Sequence, residues 1–123
     1  MQRALLSIRN RLDRAGILLS GLCALHCLLG IVVVSLLGLG GQALLDPGIH
    51  EVGLALAILV ATITLGLGVL RHGQRAPLAI GACGIALMTA GLAVDHGLKE
   101  ALLTIAGVAL VAIAHIRNLR HAA

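Results

Sequence analysis

Two thiols and one imidazole lie close together in residues 20–27, within a run that carries no charged residue from 15 to 41. Cys23, His26 and Cys27 stand at positions i, i+3 and i+4, so a helix places all three on one face. Thiolate and imidazole bind soft and borderline metal ions, and an imidazole in hydrocarbon indicates function by default. The spacing therefore predicts a metal site inside a spanning helix. The alternative is that the cysteines are small packing residues.

The composition indicates an integral membrane protein. Of the 123 residues, 59% are hydrophobic and only 11% are charged, whereas about a quarter of a soluble domain is charged. Four apolar segments approach the length that a spanning helix needs. They cover residues 15–39, 52–70, 77–94 and 98–114. We therefore predict an all-α, four-helix membrane bundle over residues 15–118, preceded by an amphipathic lead over 1–14 and followed by a short tail over 119–123.

The positions of the basic residues predict the orientation. All eight arginines lie before the first span, between the second and third, or after the fourth, while Lys99 lies on the other side. The positive-inside rule then places both termini in the cytoplasm. The partners expected from this pattern are the lipid bilayer and its anionic head groups. A nucleic-acid partner is not expected, because the chain has no Phe, Tyr or Trp to stack on bases.

The spans are rich in glycine and alanine, with 16 glycines in the chain. Small residues let helices approach closely in lipid, where packing drives association. We expect a compact bundle that can also form a homodimer.

Three further residues could take part in metal binding. They lie in or beside the first and third connections between spans, on the side that the predicted orientation makes periplasmic. They are His50, Glu51 and His96. Together they would attract a cation and pass it inward. We expect Asp46 and Glu100, on the same side, to be solvated or to cap helix ends.

On the cytoplasmic half, Cys83 in the third span could be a handover ligand, or a packing residue within Gly-Ala-Cys-Gly. His72 and His115 could receive the ion, or be ordinary polar residues at the head groups. Asp13 is expected to cap the first spanning helix, and Pro77 to lie in the first turn of the third.

Nothing in the sequence predicts an enzyme. The chain has no arguable Ser-His-Asp arrangement, phosphate-binding glycine loop or Walker lysine. We therefore expect no catalysis, no ATP-driven step and no permanently bound cofactor.

Several motifs together resemble the MerC family. They are Asp13-x-x-Gly16-x-x-x-Ser20-x-Leu22-Cys23-Ala24-Leu25-His26-Cys27, His50-Glu51, Arg71-His72 and Ala114-His115-x-x-Asn118. The resemblance implies a multi-pass protein of the bacterial inner membrane that takes up mercuric ion for detoxification. It also implies that Cys23 and Cys27 are the carriers, with His26 beside them. Mercury-resistance members carry a further cysteine pair toward the cytoplasm, where this chain has only Cys83.

The same residues are also compatible with two other functions. A Cys-His-Cys set also suits Zn(II) or Cu(I), so the chain could be a metal-binding module that transports nothing and passes its ion to a cytoplasmic or periplasmic protein. A haem could alternatively be bound through His26 and Cys27.

Overall fold

The computed structural model describes residues 1–37, 46–95 and 97–122, and these ranges contain helices and short connections but no strand. The helices are α1 (Gln2–Leu37), α2 (Pro47–His72), α3 (Ala76–Ala93) and α4 (Leu98–Ala122). The predicted all-α fold is confirmed. Each predicted span overlaps one helix, although the predicted end of the first, at residue 39, lies outside the described residues.

Helix α1 is longer than the first predicted span. It begins at Gln2, so the arginine-rich residues 1–14 and the apolar residues after them form one continuous helix. Asp13 lies well inside this helix and has no helix end to cap, so our expectation for it was wrong.

Two other helix starts agree with the sequence-based expectations. Asp46 is the N-cap of α2, and its carboxylate accepts a hydrogen bond from the backbone N–H of Gly48 at 2.9 Å. Pro77 lies in the first turn of α3, where its missing N–H costs no helical hydrogen bond. The Asp46 cap and Pro77 thus mark where α2 and α3 begin.

The four helices pack as a bundle in which each follows the next around the circumference. The most extensive interface joins α3 to α4, followed by that of α1 with α4, and within the described residues the backbones of α1 and α3 do not approach each other closely. The core contains a cluster of apolar side chains from α2, α3 and α4. Its buried members are Leu54, Ala57, Met88, Val108 and Val111.

The outer surface of the bundle is apolar. Leu18, Leu22 and Leu70 expose 68%, 61% and 83% of their surface, and all four helices are long and apolar enough to cross a membrane. An apolar surface of this extent on a monomer requires a non-aqueous environment. The chain is therefore a multi-pass membrane protein.

The close approach of α3 and α4 depends on Gly84 and Gly107. A methyl group on Gly84 would lie 2.6 Å from the carbonyl oxygen of Gly107 and 2.8 Å from a methyl group of Val111. We expect Gly84→Ala to lower the free energy of unfolding by about 1–3 kcal/mol, because the helices must move apart.

Circular dichroism in detergent would measure this effect as a lower midpoint of thermal unfolding. The matched control is Gly66→Ala, since no atom lies within 4 Å of the added methyl group. Equal midpoints for the two variants would contradict the prediction.

Candidate metal centre

Three potential metal ligands come together where α1 meets the start of α2. One nitrogen each of His26 and His50 and the sulfur of Cys27 all lie within 4.8 Å of one another. Sγ of Cys27 is 3.5 Å from Nε2 of His50, and the two imidazole rings are in edge contact with centroids 5.3 Å apart. Their donor set of one sulfur and two nitrogens can ligate a soft or borderline cation.

His50 is positioned by the first turn of α2 and by α4. The Asp46 cap and Pro47 begin α2, which places His50 one turn into the helix and opposite Cys27. On its other side, Nδ1 of His50 is 3.2 Å from Oε1 of Glu100 in the first turn of α4. Glu100 is only 5% exposed, so one of the two roles expected for it, that of a solvated acid, is wrong. It is buried because α4 packs over the imidazole.

His26 has a ring nitrogen that is free to bind. Nε2 of His26 is buried and makes no hydrogen bond within the described part of the chain. A buried polar nitrogen without a partner is unfavourable unless something else satisfies it. A bound cation would do so.

Cys23 lies beside this cluster rather than within it. Its side chain is half-buried. Its Sγ faces Gly53 of α2 and is 3.5 Å from the position that a Cβ on this glycine would occupy. It lines the same cavity as His26 and His50, which has a volume of about 300 Å³. Cys23 is one helical turn from Cys27. Cys23 lines the cavity, whereas Cys27 belongs to the three-residue cluster.

The other predicted ligands are not brought to this cluster. Cys83 is exposed on α3 and does not line the cavity of Cys23, His26 and His50. Glu51 is exposed, although it follows His50 directly. His96 lies outside the described residues.

His72 and His115 belong instead to a second polar cluster near the opposite end of the bundle. We call it the Asp13 network. It consists of Asp13, Thr64, His72, His115 and Asn118. Asp13, Thr64 and Asn118 are fully buried, and His115 is 1% exposed.

Hydrogen bonds in the network join α1, α2 and α4. Nδ1 of His115 donates to Oδ1 of Asp13 at 2.7 Å, and the Asn118 amide donates to Oδ2 at 2.8 Å. The same amide donates to the carbonyl of Thr64 at 3.2 Å, and Nε2 of His72 donates to the Asn118 oxygen at 2.9 Å. Most polar atoms of the network are thus hydrogen-bonded to other members of the network.

The tight packing around His115 explains a glycine on α1. A Cβ on Gly16 would lie 2.5 Å from Nε2 of His115. Helices α1 and α4 could therefore not lie this close together if residue 16 were larger. His115 therefore packs between helices and does not face the cavity of the thiols.

Sequence reasoning missed the roles of Glu100, Thr64 and Asn118. Asn118 follows His115 by three positions, which places both on one face of α4. This spacing was a usable signal for a buried polar face. Glu100 and Thr64 offered no comparable local pattern.

The family model described as "MerC mercury resistance protein" matches residues 13–120. No curated protein and no solved structure matches the chain. The matched range includes both the cluster of His26, Cys27 and His50 and the Asp13 network.

Proposed function

This chain belongs to the MerC family, and from that premise we propose that it carries mercuric ion across the bacterial inner membrane into the cytoplasm. The observation on which the proposal depends is the clustering of the Cys27 sulfur with one nitrogen each of His26 and His50 within 4.8 Å. Thiolate is the preferred ligand of a soft cation. The ion is the cargo of this site, and we propose no catalysis.

The distribution of arginines supports an orientation with both termini in the cytoplasm. The starts of α2 and α4 then face the periplasm, and so does the cluster of His26, Cys27 and His50. An ion would enter at this side and be captured by Cys27.

Cys23 is suited to take the ion next. It is four residues before Cys27 on α1, which is about 6 Å further toward the cytoplasm along the helix. Cys23 lines the same cavity as His50, and the sulfur of Cys27 is 3.5 Å from Nε2 of that histidine, so Hg(II) could pass from Cys27 to Cys23 through this cavity. His72 and His115 are not part of this route, because Nε2 of His72 and Nδ1 of His115 are hydrogen-bonded within the Asp13 network.

Reconstituted vesicles would test the proposal. We expect the wild-type protein to raise the rate of Hg(II) entry above that of protein-free vesicles, and Cys23→Ser/Cys27→Ser to return it to that background. Cys83→Ser is the matched control, since this thiol is exposed and does not line the cavity, and it should transport like the wild type. Undiminished entry in the double variant would contradict the mechanism.

A second candidate is a zinc or copper module that transports nothing. The observation that favours it is the donor set, because one thiolate and two imidazoles suit Zn(II) and Cu(I). Stoichiometric binding of either ion, with no flux of any metal in the vesicle assay, would support this candidate over the carrier.

A further inference from the structure

The imidazole of His50 lies between a thiol of one helix and a carboxylate of another. Its Nε2 is 3.5 Å from Sγ of Cys27 on α1. Its Nδ1 is 3.2 Å from Oε1 of Glu100 on α4. Both neighbours are largely buried, with the Glu100 side chain 6% exposed and Cys27 6% exposed. The two ring nitrogens of His50 therefore have different environments.

This difference matters because only an unprotonated ring nitrogen can bind a metal ion. A neutral imidazole carries its proton on one nitrogen and a lone pair on the other. A carboxylate beside Nδ1 favours the proton on that nitrogen, which leaves the lone pair on Nε2. Nε2 is the atom that faces Cys27.

The burial of Glu100 needs a reason beyond its place in the first turn of α4. A carboxylate near a helix N-terminus is favourable while exposed, and removing it from solvent is costly. Contact with the imidazole offsets this cost. Glu51, the acid next to His50 in the sequence, is exposed instead.

We propose that Glu100 is a positioning residue of the metal centre, which holds His50 with Nε2 directed toward the ion bound by Cys27. This inference rests on the proposed metal binding. Glu100 acts through His50 and does not touch the ion. It also connects α4 to a site whose ligands come from α1 and α2.

Two readouts on Glu100→Ala and Glu100→Gln would test the role. The first is the affinity for Hg(II), measured by competition with a soluble thiol chelator. The second is the His50 tautomer in the metal-free protein, measured by nitrogen NMR of labelled histidine side chains and assigned by the signal missing from His50→Asn. The matched control is Asp95→Asn, an exposed carboxylate just before α4.

We expect Glu100→Ala to bind Hg(II) about 10–100-fold more weakly, as for other carboxylates that orient a metal-bound histidine. Its His50 should shift from the form protonated on Nδ1 toward the form protonated on Nε2. Glu100→Gln keeps an oxygen that can accept from Nδ1, so it should retain the wild-type tautomer and most of the affinity. Asp95→Asn should match the wild type in both readouts.

Wild-type affinity in Glu100→Ala would overturn the inference. Weaker binding with an unchanged His50 tautomer would also overturn it, because Glu100 would then only support the fold. If Glu100→Ala does not fold, the metal-free wild type decides the question, and a His50 protonated on Nε2 rather than on Nδ1 is the overturning result. The tautomer is read without metal, so it tests Glu100 even if the wild type fails to bind or carry Hg(II), a failure that would contradict the proposed function alone.

Discussion

Replacing Cys27 with serine should weaken Hg(II) binding by at least about 100-fold, since losing a ligand costs no less than losing a residue that merely orients one. Cys27 is 6% exposed, and its sulfur belongs to the three-residue cluster. A serine hydroxyl is similar in size but is a poor ligand for a soft cation. The substitution therefore removes the ligand while the packing of α1 changes little.

Equilibrium binding to the purified protein, followed by elemental analysis after loading, would measure this effect. Cys23→Ser should weaken Hg(II) binding less than Cys27→Ser does, because Cys23 lines the cavity without belonging to the cluster. Cys83→Ser should bind like the wild type. If Cys27→Ser and Cys83→Ser bind equally well, the cluster is not the binding site.

Replacing Asp13 with alanine should lower the free energy of unfolding by about 2–6 kcal/mol, because two buried donors lose their acceptor at about 1–3 kcal/mol each. The carboxylate accepts hydrogen bonds from His115 and from Asn118. Both donors are buried and would be left without these acceptors. Contacts that join α1 to α4 would be lost with them.

Thermal unfolding in detergent, followed by circular dichroism, would show this loss as a lower midpoint. Asp13→Asn should be intermediate, because one oxygen remains while an amide group now faces a donor. Arg14→Ala is the control, since Arg14 is the exposed neighbour on the same helix. An Asp13→Ala variant as stable as Arg14→Ala would show that the network contributes nothing to stability.

The metal centre and the Asp13 network lie toward opposite ends of the bundle. Asp13 and His26 are separated by 13 positions on one helix, which corresponds to about 20 Å. The network joins three helices by hydrogen bonds at one end. At the other end, the same three helices contribute Cys27, His50 and Glu100, and side chains of all four helices line the cavity.

The sequence by itself determined the membrane class, the four helices and the common face of Cys23, His26 and Cys27. Each of these depends on local properties, namely the length of an apolar run and the angle between successive side chains on a helix. Pro77 and Asp46 marked helix starts for the same reason, because capping involves only neighbouring residues.

Only the tertiary structure decided which distant residues meet. Asp13 and His115 are 102 positions apart, and Cys27 and His50 come from different helices. In lipid, apolar residues are favourable on both the inner and the outer face of a helix, so hydrophobicity does not indicate which side of α3 faces the bundle. Cys83 therefore resembled a ligand in the sequence and is exposed in the fold, whereas Glu100 resembled a surface acid and is buried beside His50.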